Sequence, residues 1–352
     1  MDGERLPILE PEEVSQGGCG GAARMTPLER RKAERKRLPA WFRTTLPTGD
    51  SQTRFNSTKS NVHEHGLHTV CEEARCPNVH DCWGRGTATF MIAGQECTRA
   101  CRFCAVGTIK QPPPLDPEEP AGLAKAVQLM GVSHAVITVV NRDDLEDGGA
   151  SHYRACLEAV SENSPEVTLE LLCSDLDGNL EALASLLDGL ELSVFAHNVE
   201  CVPRLDNIVR DSRASFKQSL DILREAKRLR PDIATKSSLM VGLGESDEEL
   251  MAALADLREA GVDMITLGQY LQPSSRHLQI DRFPTPEQFA SYDAEARKLG
   301  FQAVASGPLV RSSYRAGLLL EEALGGTPVV TLSANGSAVS HLQPSTLGDE
   351  AR

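Results

Sequence analysis

This 352-residue sequence predicts an α/β fold on a parallel sheet, and three observations point to it. Six short apolar runs alternate with helical stretches over roughly 210 residues, the pattern of βαβ units. The runs lack strict period-2 alternation, as expected of strands covered on both faces. Pro and Gly stand just beyond several helical stretches, where helices stop. Six units suggest a partial (β/α)6 TIM-like barrel with N- and C-terminal extensions. An open doubly wound sheet is the alternative.

Residues 1–43 read as a flexible arm, acidic and then basic. Within it, residues 24–43 carry eight basic residues against Glu29 and Glu34. Residues 44–87 form an N-terminal extension with three cysteines and little periodicity. Residues 88–305 hold the strand–helix units. The first run, Ala88–Ala93, is a strand; a cysteine loop and the Pro112–Pro114 break follow it. A helix over 117–130 leads to a strand at 135–140. A helix over 149–162 leads to a strand at 167–172, and a helix over 180–187 to a strand at 192–196. The helix over 215–229 stops before Pro231, and 233–241 is the next strand. The helix over 247–260 is closed by Gly261, 264–267 is the sixth strand, and a helix over 285–299 ends at Gly300. Residues 306–352 are a C-terminal segment and tail.

Charge narrows the function classes. Lys and Arg number 36 against 50 Asp and Glu, a formal net charge of −14, which argues against a broad nucleic-acid surface. No run of 18 apolar residues offers a membrane span. Residues 1–23 lack the apolar core of a signal peptide, so a cytoplasmic setting is expected.

Six of the ten cysteines fall between Cys71 and Cys104, a 34-residue stretch. In a reducing compartment such density points to metal binding or catalysis rather than disulfides. Cys97, Cys101 and Cys104 lie on one loop after the first strand. Three thiolates leave one iron of a cubane iron–sulfur cluster open, and no fourth Cys or His follows closely to complete a zinc tetrahedron. Cys71, Cys76 and Cys82 form a second set at different spacing, for which structural zinc or iron–sulfur binding is the plain reading. Cys19, Cys156, Cys173 and Cys201 receive no ligand role; the last three lie in or near apolar elements, where a thiol packs as a small hydrophobe.

The loop Cys97-Thr-Arg-Ala-Cys101-Arg-Phe-Cys104 resembles that of the radical S-adenosylmethionine superfamily. Further segments are similar to the lipoyl synthase family: Cys71–Asn78, Thr87–Ile92, Arg102–Val106, Asn141–Leu145, Asp147–Ala150, His197-Asn198, Thr235–Ser237, Gly242–Glu245, Gly268–Pro273 and Ser306–Tyr314. The match covers about residues 40–320. It implies a barrel of the radical S-adenosylmethionine type and two 4Fe-4S clusters. Cys97, Cys101 and Cys104 would hold the cluster that cleaves S-adenosylmethionine. Cys71, Cys76 and Cys82 would hold an auxiliary cluster, with a serine of Arg311–Tyr314 as fourth ligand. Ser313 is favoured there, and the sequence leaves Ser312 open.

The implied reaction inserts two sulfur atoms at C6 and C8 of a protein-bound octanoyl chain, with the auxiliary cluster as sulfur donor. The implied partners are octanoylated lipoyl carrier domains, of the glycine cleavage H protein or 2-oxoacid dehydrogenase E2 type. An electron donor such as ferredoxin or flavodoxin is also implied, with no nucleic acid and no membrane. Phe103, Asn141, Arg142 and Glu170 are the candidates for cofactor contacts. Asn141 and Arg142 stand at a strand's carboxyl end, where barrels place their sites. Glu170 is a charge inside an apolar strand, costly unless paired. Two segments, Leu169–Asp175 and Arg210–Phe216, depart from the family pattern.

Overall fold

The computed structural model describes residues 37–42, 48–64, 69, 76, 78–85 and 87–326. The expected arm lies outside them apart from 37–42, as do Cys19, Cys71 and the 327–352 tail. Two helices, α1 (Asp50–Glu64) and α2 (Val79–Gly84), precede the sheet. Its first strand is β1 (Thr87–Ile92). Two-residue strands β2 (Glu96–Cys97) and β3 (Gly107–Thr108) pair with each other beyond it. Strands and helices then alternate: α3 (Glu119–Met130), β4 (His134–Val139), α4 (Ala150–Asn163), β5 (Thr168–Leu172), α5 (Leu180–Leu187), β6 (Val194–Ala196), the short α6 (Asp206–Val209), α7 (Phe216–Leu229), β7 (Ala234–Val241), α8 (Asp247–Glu259), β8 (Met264–Gln269), α9 (Pro286–Lys298), β9 (Ala303–Gly307) and α10 (Ala316–Ala323).

Local chemistry sets these boundaries. Ser215 caps α7 by accepting from Gln218 N. Ser246 with Glu249, and Thr285 with Gln288, form capping boxes on α8 and α9. Gly131 ends α3 in the left-handed conformation, φ +58°.

The main sheet has seven strands, all parallel, in the order β1-β4-β5-β6-β7-β8-β9. This is one more strand than the six read from sequence: β9 is the addition. The edges β1 and β9 do not pair with each other, so the barrel is not closed.

The sheet is curled all the same. Gly317, at the start of α10 just after edge strand β9, packs on His134 of β4, near the opposite edge; a Cβ there would stand 3.1 Å from His134 Cβ. Five strand spacings in a flat sheet span about 24 Å, while an eight-residue helix is about 12 Å long. Only a rolled sheet lets α10 touch both ends.

The strands do alternate, which the apolar runs concealed. Ala88, Phe90, Ile92, Ala135, Ile137, Leu169, Leu171 and Phe195 join the helices in one buried cluster. Leu239, Val241, Ile265, Leu267 and Val304 join them in a second. The pleat therefore turns Thr89, Thr138, Glu170, Lys236, Ser238, Thr266 and Gly268 to the opposite, concave face. At the amino-terminal edge of that face Val194, Met264 and Ala303 are covered by Leu319 and Leu320 of α10. A plugged floor and polar or small walls make a lumen.

Candidate active site

The cysteine loop leaves the carboxyl end of β1 through Ala93, φ +68°, and Gly94, φ +98°. The β2–β3 pair closes its base, and Ile109 N donates to Cys97 O at 3.0 Å. Arg99 anchors it from within. Its guanidinium is 2% exposed and bonds Asp143 at 2.8 Å and Asp175 at 2.6 Å. Thr98 Oγ1 donates to Asp143 Oδ2 at 2.6 Å. From the segment after α6, Arg213 Nη2 donates to Thr98 O at 2.7 Å and Ala100 N donates to Asp211 Oδ2 at 2.9 Å. His277 Nε2 lies 2.8 Å from Cys104 O. The two segments that depart from the family pattern thus still supply loop anchors, Asp175 and Asp211.

Cys97, Cys101 and Cys104 are half-buried free thiols. Arg99 N donates to Cys97 Sγ at 3.4 Å and Asp211 N to Cys101 Sγ at 3.3 Å. Such bonds tune the potential of a cluster held by those sulfurs. Burial pushes the Cys104 thiol up to about 11 and raises Cys101 as well. Among the described residues, one other trio brings three ligand atoms within 4.8 Å of one another, and these three sulfurs do not. They are spread too widely for a single ion, and a cluster several atoms across fits them.

The predicted contact residues divide. Phe103 is partly buried and packs against the second helix-face cluster. Asn141 lies under the loop, its carbonyl accepting from Thr98 N at 3.1 Å. Arg142 is 2% exposed and its guanidinium is engaged by Asp144 at 2.8 Å, Ala93 O and Pro113 O, so it braces the entry turn. Glu170 lies in the lumen wall against Lys236 Nζ, at 2.8 and 3.0 Å. The carboxylate close enough to act electrostatically on Cys101 and Cys104 is instead Glu200, raised by its burial. Sequence reasoning missed it; it follows a three-residue strand in a left-handed conformation, φ +66°, which leaves no pattern. Gly242 is glycine for packing: a Cβ would stand 2.5 Å from Arg282 O and 2.3 Å from Gln269 Nε2.

The described cysteines of the second set, Cys76 and Cys82, meet the C-terminal segment. Asn78 Nδ2 donates to Leu309 O at 2.5 Å, and Arg315 Nε bonds Asp81 at 2.9 Å. Cys82 and Tyr314 share one buried cluster. Arg311 acts electrostatically on Cys76. Half-buried Ser312 and Ser313 therefore sit in a turn flanked by a neighbour of Cys76 and a neighbour of Cys82.

His197, just past the carboxyl end of β6, is buried, with Nδ1 2.9 Å from Cys173 O and Nε2 2.9 Å from Ser219 Oγ. Burial lowers its pKa from 6.5 to about 4. The unfolded chain then binds the extra proton between those values. Stability is whole above about pH 6.5 and is lost as pH falls toward 4, by about 3 kcal/mol. Denaturant titration across that range should show the slope, and His197→Asn should flatten it.

An α/β sheet with a three-cysteine loop over its carboxyl edge defines a radical S-adenosylmethionine protein, and residues 91–257 match the radical SAM superfamily. Residues 22–76 match the N-terminal domain of lipoyl synthase of that superfamily. The mitochondrial lipoyl synthase of Xenopus laevis is 48% identical over 295 residues, 82% of this chain and 78% of that one. The human mitochondrial lipoyl synthase is 49% identical over 82% of this chain and 78% of its own. That of Ectopseudomonas mendocina is 52% identical over 81% and 80%. The chain belongs to the lipoyl synthase family. Among solved structures, the FeFe-hydrogenase maturase HydG of Carboxydothermus hydrogenoformans overlays with a TM-score of 0.51 at 15% identity, over 79% of this chain and 63% of that one, a likeness of fold. A 4Fe-4S cluster and S-adenosylmethionine follow from the family. No helix among the described residues is long and apolar enough to cross a membrane.

Proposed function

We propose that the enzyme inserts two sulfur atoms, at C6 and C8, into an octanoyl chain carried on a lysine of a lipoyl carrier domain. The convergence of Cys76 and Cys82 with the Arg311–Tyr314 turn carries this reading, because it supports a second cluster site apart from the Cys97–Cys104 loop. In that reading Cys97, Cys101 and Cys104 hold one 4Fe-4S cluster. Cys71, Cys76, Cys82 and Ser313 hold the auxiliary one.

The bound clusters and S-adenosylmethionine supply one-electron chemistry and sulfur, which an unactivated C–H bond demands and acid–base groups cannot provide. The chain supplies position. Arg99 with Asp143 and Asp175 holds the loop, Phe103 shields its apolar side, and Asn141 with Arg142 fix the turns beneath. The concave wall, with Thr89, Thr138, Ser238 and Thr266, takes the reacting chain out of bulk water. A hydroxyl ligand binds iron less tightly than a thiolate, so Ser313 suits an iron that must be released when sulfur leaves. The second substrate is an octanoylated carrier domain of the H-protein or E2 type, and a ferredoxin or flavodoxin supplies electrons. A cytoplasmic site of action belongs to the same proposal, beside relatives whose names place them in mitochondria.

Anaerobic reconstitution should give about eight irons per chain, two cubanes' worth. With reductant and an octanoylated carrier peptide it should form 5′-deoxyadenosine and a doubly thiolated product. Four irons, or deoxyadenosine without thiolation, would reject the proposal.

Gly268 offers a sharper probe. A Cβ there would stand 2.1 Å from Val310 O, a backbone atom that must then move. Gly268→Ala is expected to push the Arg311–Ser313 turn away from Cys76 and Cys82. Iron should fall by about four per chain, one cubane, while S-adenosylmethionine cleavage persists. Full iron content with normal thiolation would show that the turn is not a ligand segment.

A further inference from the structure

A third set of metal-type ligands lies outside both cysteine sets. Glu119 is the first residue of α3; His152 and Cys156 stand one turn apart on one face of α4. His152 Nε2 is 2.5 Å from Glu119 Oε2 and 3.7 Å from Cys156 Sγ, and all three donor atoms lie within 4.8 Å of one another. We propose that Glu119, His152 and Cys156 bind one zinc ion, with water in the fourth position. The site is separate from the sulfur chemistry and does not depend on which substrate the enzyme thiolates.

Geometry favours this over a chance grouping. Bond lengths of about 2.3 Å to sulfur and about 2.0–2.1 Å to nitrogen, in a tetrahedron, put those two donors about 3.6 Å apart. The Cys156–His152 separation of 3.7 Å already meets that. Nitrogen and carboxylate oxygen should stand about 3.3 Å apart, so Glu119 must draw back by about 0.8 Å. Its position, with a side chain 23% exposed, gives it room. A catalytic relay fits less well, because the thiol and the carboxylate address the same ring nitrogen.

Charge also balances. Cys156 is fully buried, and burial pushes its thiol up to about 12, so without metal it keeps its proton. Zinc binding forms the Zn–S bond and releases that proton to solvent. One thiolate and one carboxylate then neutralise the ion. Arg142, which also faces Glu119, is already neutralised by Asp144. The site would tie α3 to α4 directly beneath the cysteine loop, because Glu119 Oε2 also accepts from Ala93 N at 2.8 Å, the residue that opens that loop.

Cluster-loaded enzyme should be incubated anaerobically with zinc, passed through gel filtration and analysed for metal. One zinc per chain is expected in addition to the cluster iron, bound more weakly as pH falls. Zinc-edge X-ray absorption should show one sulfur and three nitrogen or oxygen neighbours. Cys156→Ala and His152→Gln should each lose the zinc and keep the iron; the second variant serves if the first does not accumulate. No retained zinc in the parent, zinc at the parent's level in both variants, or three sulfur neighbours (zinc in a cluster position) would each overturn the proposal.

Discussion

Cys101→Ala is expected to abolish S-adenosylmethionine cleavage, whereas Cys76→Ala is expected to keep it and lose the thiolated product. The two cysteines are half-buried and similar in chemistry, and only their surroundings separate the outcomes. In the proposed assignment Cys101 belongs to a loop whose three thiols are the whole protein complement of one cluster, so its removal would leave an iron without a ligand. Enzymes exceed uncatalysed rates by about 10⁶-fold or more. The loss should therefore read as no 5′-deoxyadenosine above background. Cys76 sits beside Arg311 and the Ser312–Ser313 turn, apart from that loop. Its variant should release deoxyadenosine at a rate within about tenfold of the parent, a barrier change of about 1.4 kcal/mol. Carrier peptide should be returned unthiolated. Equal loss of both activities in the two variants would mean that the cysteine sets do not divide the labour.

Lys236→Met is expected to destabilise the fold by about 3–5 kcal/mol, the penalty for leaving a buried charge without its partner. Lys236 and Glu170 are each 1% exposed, two strands apart on the lumen wall, with His134 Nε2 3.6 Å from the same carboxylate. Burial pushes the Glu170 pKa upward, but Lys236 and His134 outweigh it and hold the carboxyl below its usual range. Glu170→Gln alone should be damaging for the mirror reason, an ammonium without a counter-charge. The double variant Glu170→Gln/Lys236→Met should recover most of the loss, since a buried pair replaced as a unit is often close to neutral. Denaturant midpoints of the four proteins close the cycle. Single variants within about 1 kcal/mol of the parent would indicate a hydrated pair and a wetter lumen.

Much of this architecture is legible in the sequence because local signals agree with the fold. Ser215, Ser246 and Thr285 announce helix starts, and the apolar runs mark six strands. The seventh, Ala-Val-Ala-Ser-Gly at 303–307, is five mostly small residues and carries no apolar run to read. The inner and outer faces stayed hidden for a related reason: the lumen side uses Ala, Val, Met and Thr along with its charges, so polarity alone does not alternate. The cysteine loop declares its chemistry through spacing. Its anchors do not, because Arg99 finds Asp143 and Asp175 across 44 and 76 residues, and no short-range pattern encodes such pairs. Glu170 is conspicuous as a charge in an apolar strand, but its partner lies 66 residues on. The Ser312–Ser313 turn is legible through family resemblance alone; packing then shows what it approaches.

The bond between Asn78 and Leu309 spans 231 residues of chain. On a ribosome adding about 5–20 residues per second, Leu309 is made some 12–46 s after Asn78. The loop at 97–104 meets its contacts sooner: Asp175, Asp211 and Arg213 are in place about 110 residues after it, and His277, the last, 173 residues after Cys104. Maturation therefore has a built-in order. The loop at 97–104 is the first of the two proposed sites to become complete, and the Arg311–Tyr314 turn reaches the other only when the last strand has been made. If the two sites hold the two proposed clusters, a truncated or stalled chain should be able to load the first and never the second.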